Sequence, residues 1–197
     1  MKYRTVLAAA GLLSTALVLA GCSTQGMDMG SSSSDTSSSS SASSASSHND
    51  SDVAFATQMI PHHQQAVEMA DIVLAKSGVD SRVVDLAKQI KAAQDPEIVT
   101  MTTWLKTWGQ PSPAAMDGMA MNGLMSQADM DALKNASGPD SSKLFLQQMT
   151  QHHQGAIDMA NEELSSGRDA AALTLAKKIM VAQTAEIVTM KGLLASM

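Results

Sequence analysis

Apolar positions recur with helical spacing in four stretches of this chain. Phe55, Met59, His62, Ala66, Met69 and Val73 step by 4, 3, 4, 3, 4, which places them on one stripe of a helix. Phe145, Met149, His152, Ala156, Met159 and Glu163 repeat those steps, with the last position turned polar. Ala87, Ile90, Gln94, Glu97, Met101 and Trp104 form a third stripe, and Ala176, Ile179, Gln183, Glu186, Met190 and Leu193 a fourth. Four long helices of this kind predict an all-α four-helix bundle.

The stripes are related by an internal duplication. FATQMIPHHQQAVEMA, from Phe55, matches FLQQMTQHHQGAIDMA, from Phe145, at an offset of 90. AKQIKAAQDPEIVTMTTWL, from Ala87, matches AKKIMVAQTAEIVTMKGLL, from Ala176, at an offset of 89. Two blocks repeated in the same order mean a repeated helix hairpin, and two copies make one domain, since a solenoid needs more stacked neighbours. The units are expected at about 50–110 and 140–197, within a domain spanning 50–197 and joined by a Met-rich connector over 111–139. Turns are expected near Gly78 and Gly167, with Gly138-Pro139 ahead of the third long helix. Within the connector, Ser126 with Asp129 three residues later resembles a capping box, which would start a short helix with Met125, Met130 and Leu133 on its apolar side. Pro61 and Pro96 fall inside predicted helices and are expected to kink them, the alternative being that Pro61 opens its helix.

The residues before the bundle read differently. Lys2 and Arg4 precede an apolar run from Val6 to Ala20, and Leu19-Ala20-Gly21-Cys22 follows, so residues 1–21 have the form of an export signal. The last four residues resemble a bacterial lipobox, which makes Cys22 the expected lipidation site and first mature residue. An ordinary signal peptide with a coincidental Cys is the alternative. Residues 31–47 hold 13 Ser and almost nothing to bury, so 22–49 is expected to be a disordered tether with a reach of about 30 Å. Cys22 is the one Cys in 197 residues, which excludes intramolecular disulfides and CxxC sites. A net charge of -6 without a basic cluster argues against nucleic acid as a partner.

The chemistry is concentrated on the helical stripes. Buried His, Gln and Glu are costly without hydrogen bonds or a metal. If the first hairpin turns near Gly78, His62 lies level with Gln94 and Glu97, and Met59 approaches Met101. Reflection about Gly167 brings His152 to Gln183 and Glu186 in the same way, with Met149 and Met190 in the matching positions. Met59 with His62, and Glu97 with Met101, are spaced to face one ion. Met69 lies two turns from His62, about 10 Å away, too far to join the same ion. His63 should flank the seam, as a ligand of a neighbouring site or a cap on the layer. Glu97 and Glu186 are ligands, or else acceptors that orient His. Thioether favours Cu(I), and imidazole suits copper, zinc and iron. Met116, Met119 and Met121 in the connector lack helical periodicity and are auxiliary candidates for soft-metal capture. Met at helical spacing also serves as core filler, which is the competing reading for Met69 and Met159.

The paired motifs F-x-x-x-M-[IT]-x-H-H-Q-x-A-[VI]-[ED]-M-A and A-x-x-I-x-x-A-Q-x-x-E-I-V-T-M resemble those of the bacterial domain-of-unknown-function family number 305, which includes CopM-like copper-binding proteins. The resemblance runs from about Asp50 to Met197. It implies a ferritin-like four-helix bundle that binds copper or silver and contributes to copper resistance. It marks Met59, His62, His63, Met69, Met149, His152, His153 and Met159 as ligands.

The reading that follows is a lipid-anchored, extracytoplasmic protein that binds copper, Cu(I) before Cu(II), Ag or Zn, without catalysis. Its partners would be the metal ion, the membrane through Cys22 and a copper-handling protein. A ferritin-like di-metal oxidase is the enzymatic alternative, but such sites use Glu-x-x-His, which this sequence lacks. A helical interaction module with a structural His layer is the third.

Overall fold

Polar side chains at the helix starts set the boundaries of the fold. The structure, a computed structural model, describes residues 47–111, 113 and 122–197. The export signal, Cys22, most of the tether and Met116, Met119 and Met121 lie outside the described residues. Among the described residues five helices follow in order: α1 (Asp50–Leu74), α2 (Ser81–Thr107), α3 (Gln127–Asn135), α4 (Gly138–Ser166) and α5 (Ala170–Ala195). Asn49 caps α1 by accepting from the backbone N–H of Ser51 and Asp52, and Asp52 returns a bond to the Asn49 N–H. Ser126 and Asp129 form the same box at α3, as their spacing predicts. Asp80, Ser137 and Asp169 cap the remaining three helices.

One expectation is corrected: Gly138-Pro139 does not precede α4 but forms its first turn, where a proline's missing N–H costs nothing. Pro61 and Pro96 lie inside their helices as expected, and the alternative in which Pro61 opens one is excluded, because α1 begins at Asp50 and runs through it. Gly78, with φ of 75°, supplies the left-handed residue of the turn between α1 and α2.

The helices pair as two hairpins, α1 with α2 and α4 with α5, and the hairpins meet along α1 and α4. The direction of that contact is set by its ends. Near the start of α1, Asp52 accepts from the backbone of Arg168 and Asp169, just past the end of α4. At the other end, Ser142 in the first turns of α4 accepts from the Asp80 N–H, just past α1. α1 and α4 are therefore antiparallel, and the two repeats are related by an approximate twofold axis. Among the described helices none is long and apolar enough to cross a membrane.

Two apolar clusters fill the bundle, and a polar layer separates them. One cluster holds Met69, Val73, Leu86, Ile90, Phe145, Leu146, Met149, Ile187 and Met190. The other holds Phe55, Met59, Met101, Leu105, Ala156, Ala160 and Ile179. Each of the four long helices passes from one cluster to the other at a buried polar side chain: His62 in α1, Gln94 in α2, His152 in α4 and Gln183 in α5. Burial of each large side chain stabilises the fold by about 1.5–3 kcal/mol, and that surplus supports the polar layer.

The connector returns to the bundle beside this layer. Gln65 both donates to the Met125 carbonyl and accepts from its N–H, at 2.9 and 2.8 Å, while Gln148 donates to the Asp129 carbonyl. Met130 and Leu133 are buried as the apolar side of α3, and Met125, just before its cap, is buried with them. Gly155, the repeat counterpart of Gln65, leaves room for the chain itself. A Cβ there would stand 2.1 Å from the Asn122 carbonyl oxygen. Gly155→Ala is therefore expected to destabilise the protein by about 1–3 kcal/mol in urea or thermal unfolding. Gly192→Ala, where a Cβ meets nothing within 4 Å, should be neutral or stabilising by up to about 1 kcal/mol.

Candidate metal centre

The antiparallel contact of α1 and α4 brings equivalent residues of the two repeats together on the twofold axis. His62 and His152 face each other there, with ring centroids 3.7 Å apart and planes inclined by 38°. Both are fully buried, at 0% exposure. The next residue along each helix is turned by about 100°, away from the central seam and toward the hairpin partner. His63 Nε2 accordingly lies 3.0 Å from Glu97 Oε2 on α2, and His153 Nε2 lies within hydrogen-bond distance of Glu186 Oε2 on α5, at 2.6 Å.

This arrangement corrects the expected pairing. The height argument placed His62 with Glu97 and His152 with Glu186, whereas the second His of each pair meets the carboxylate. The first His is drawn instead to the contact between hairpins, which a single-hairpin argument does not contain. His63 and His153 are fully buried, each turned from the central seam toward its hairpin partner.

The two halves are not equivalent. Lys178 of α5 reaches across to Glu97 Oε1 at 3.1 Å, joining the outer helices of the two repeats. The position matching Lys178 in the first repeat is Gln89, which carries no charge for Glu186. The Glu97 side chain is 9% exposed and that of Glu186 22%. Burial would raise the Glu97 carboxyl, but His63 and Lys178 together hold it below the ordinary range.

Burial governs the imidazoles. It lowers His62 to about 3, with His63 and His153 adding to the effect, and it takes His152 well below the ordinary value. Burial also lowers His63, against the pull of Glu97. The His pair is therefore neutral at physiological pH, the form in which imidazole has a lone pair to give. A proton on His63 Nε2, donated to Glu97, leaves Nδ1 as the basic nitrogen.

Six buried imidazole nitrogens have no hydrogen-bond partner: both of His62, both of His152, and Nδ1 of His63 and of His153. Weak backbone approaches, of Asn122 to His62 and of His62 to His152, do not form proper hydrogen bonds. The Oε1 atoms of Gln94 and Gln183 are likewise buried without a donor. Each such atom costs about 1–3 kcal/mol unless something else satisfies it. Among the described residues, no three His, Cys, Asp or Glu side chains converge on one point as a preformed cage. Imidazole nitrogens bordered by thioethers suit a soft ion better than a hard cation that needs many oxygens.

The candidate methionines divide into groups. Met59 and Met101 are buried together in one apolar cluster, and Met149 and Met190 in the other, so thioethers border the layer on both sides. Met190 also faces the Thr150 hydroxyl, at 3.8 Å from its sulfur. Met69 is fully buried among Ala66, Val73 and Ile90, and Met159 is partly buried, lining a surface cleft with Phe55 and Gln58. Neither lies in the imidazole layer. Sequence reasoning missed Lys178, for which the repeat offers no counterpart, and the His62–His152 contact, for which it offers a signal. Residues related by the repeat offset are the ones that meet on a twofold axis.

The duplicated HHQ and EIVTM motifs, now placed on one layer, match a known family across residues 52–194. The chain belongs to the domain of unknown function family DUF305. A DUF305 protein of Streptomyces coelicolor, provisionally described as secreted, is 34% identical, with 74% of this chain and 91% of that one covered at a TM-score of 0.69. A DUF305 fragment from Deinococcus radiodurans is 32% identical over 76% of this chain and 98% of its own, also at 0.69. CopM in its Cu(I)-bound form is 33% identical over 74% of this chain and 96% of its own, at 0.62, and CopM is also known in Cu(II)-bound and Ag-bound forms. No curated protein matches the sequence.

For this DUF305 chain, the buried neutral imidazoles set a pH dependence. Their folded-state values lie below the unfolded value of 6.5, so the unfolded chain gains protons first as pH falls. Stability they support is complete above about pH 6.5 and is lost as pH falls from there toward 3. Between pH 7.5 and about 4.5 the unfolding temperature of the protein should therefore fall relative to that of the double variant His62→Gln/His152→Gln, which lacks the two imidazoles.

Proposed function

We propose that this protein binds Cu(I), and by the same chemistry Ag(I), at the layer between its two repeats, outside the cytoplasm. The observation that carries the reading is the facing pair His62 and His152, fully buried and neutral, with all four ring nitrogens unpaired. A structural His layer would be expected to satisfy those nitrogens, whereas a soft ion would use them. The copper-bound and silver-bound forms of CopM support the choice of metal.

In this reading His62 and His152 are the central donors. Met59 and Met149, three residues earlier on the same helix faces, supply thioether, and Met101 and Met190 border the same layer from α2 and α5. His63 and His153 add donors at Nδ1 while Glu97 and Glu186 hold their opposite nitrogens. Met69 and Met159 are packing residues here. The lipobox-like Cys22 would hold the protein to the outer face of a membrane, and the described secretion of the Streptomyces relative agrees with that side. The role is sequestration, or transfer to a copper-handling partner, by ligand exchange.

Anaerobic titration with Cu(I) against a chromogenic competitor should give stoichiometric binding. It should also raise the unfolding temperature, since a ligand at one hundred times its Kd adds about 2.7 kcal/mol. His62→Gln/His152→Gln should lose at least about tenfold in affinity, which is about 1.4 kcal/mol. An equal stabilisation by Zn(II) alone, or an unchanged affinity in the double variant, would overturn the proposal. Cys22→Ser should move the protein from the membrane fraction to the soluble one, without altering Cu(I) affinity.

A further inference from the structure

At the opposite end of α1 from the Gly78 turn, two carboxyl groups outside the His layer are buried at one junction, Asp52 bonded to the backbone of residues 168 and 169 and Glu163 set against Gly167. Asp52 is 0% exposed and Glu163 1%. Asp52 is surrounded by donors. Its oxygens accept from the backbone N–H of Asn49 at 2.6 Å, of Asp169 at 2.9 Å, and of Arg168 at 3.0 and 3.2 Å. Glu163 has the reverse environment, since neither of its oxygens has an N–H or O–H donor. Its carboxyl is pressed on Gly167, where a Cβ would come within 2.3 Å of Oε1. An anion in that position would be unsupported, whereas a carboxylic acid could donate its proton to Asp52.

The other repeat shows the same junction without the charge. Asp52 corresponds to Ser142, Glu163 to Val73 and Asp169 to Asp80. The bond from the Asp169 N–H to Asp52 has its counterpart from the Asp80 N–H to the Ser142 hydroxyl, at 3.0 Å. The fold thus closes one end with a hydroxyl and a Val, and the other with two carboxyl groups. The carboxyl end is where the chain enters the bundle, and Asn49 is tied there to the Ser166 carbonyl as well.

We propose that Asp52 and Glu163 share one proton and act as a pH-operated latch, joining the entry of the chain to the turn between α4 and α5 while Glu163 is protonated and releasing it when Glu163 ionises. Charge around the pair favours holding the proton. Asp50 from α1 and Glu162 from α4 line the cleft beside it, Asp169 caps α5, and Arg168 is the cation of the turn, with an exposed side chain. α2 and α3 contribute no charged group to that cleft among the described residues. Burial, then Asp52 and Asp169, push Glu163 up to about 8. Burial would raise Asp52 too, but Glu163 and the backbone N–H groups hold it below the ordinary value.

The sign follows from linkage. The folded state keeps the Glu163 proton between about pH 4.5 and 8 while the unfolded chain has lost it. The latch is complete below that window, and its contribution to stability declines as pH rises through it. The proposal does not rest on metal binding and is tested on the metal-free full mature chain. Glu163→Gln places a permanent N–H donor toward Asp52, and Asp52→Ser/Glu163→Val copies the other end of the bundle. Between pH 5 and 9 the unfolding temperature of the wild type should fall relative to Glu163→Gln by on the order of 5–10 °C. The double variant should follow the flat course. Exchange of the Asn49, Arg168 and Asp169 amides, corrected for intrinsic rates, should quicken in the wild type alone at the upper end. Parallel pH curves for wild type and both variants would overturn the latch. So would a rise in wild-type unfolding temperature with Ca(II) or Mn(II) at pH 9 that Glu163→Gln lacks, since the pair would then be a cation site.

Discussion

The antiparallel contact between α1 and α4 is the constraint on which the rest of the molecule depends. It makes two copies of one hairpin into a single bundle, and it does so with equivalent residues against each other. Any side chain near the axis therefore meets its own repeat partner. Here that side chain is histidine, and the result is a pair of rings 3.7 Å apart in an interior without water-exposed surface. Duplication also explains why the layer contains two His-Glu pairs, because one hairpin supplies one and symmetry supplies the other.

Such a layer has a cost that packing must offset. Neutral imidazoles avoid the larger penalty of buried charge, yet their free nitrogens and the free Gln94 and Gln183 oxygens still lack partners. The apolar clusters on either side, with Phe145 and Leu146 in one and Phe55 and Leu105 in the other, hold the four helices at that spacing whatever the layer contains. A site built this way is kept by the fold rather than by its own bonds. The asymmetry introduced by Lys178 shows that the halves have diverged while the frame stayed common. The carboxyl pair at Asp52 and Glu163 is a second divergence, laid on a junction that Ser142 and Val73 close in neutral form.

Legibility followed the range of the interactions. The helices, the α3 capping box and the turn at Gly78 are local, and they were readable from spacing and from single residues. The proline-containing helices were readable too, since tertiary burial of Pro61 outweighs the loss of one backbone bond. Height along a hairpin sets His62 level with Glu97, but rotation about the helix gives the carboxylate to His63, and only packing fixes that rotation. Glu163 stands out as a polar residue where the repeat has Val73, but its partner Asp52 lies 111 positions away, and no periodicity links them.

By itself the sequence determined that there would be two equivalent helix hairpins, about where each would turn, and which residue types would lie on the inward stripes. Those properties are set by backbone hydrogen bonding and by apolar periodicity within a few turns. The tertiary structure alone decided that α1 would face α4, that His62 would meet His152 while His63 took Glu97, and that one cation, Lys178, would cross between repeats. The physical reason is that helix periodicity assigns a side chain to a face, while only the packing of one helix on another assigns that face a partner.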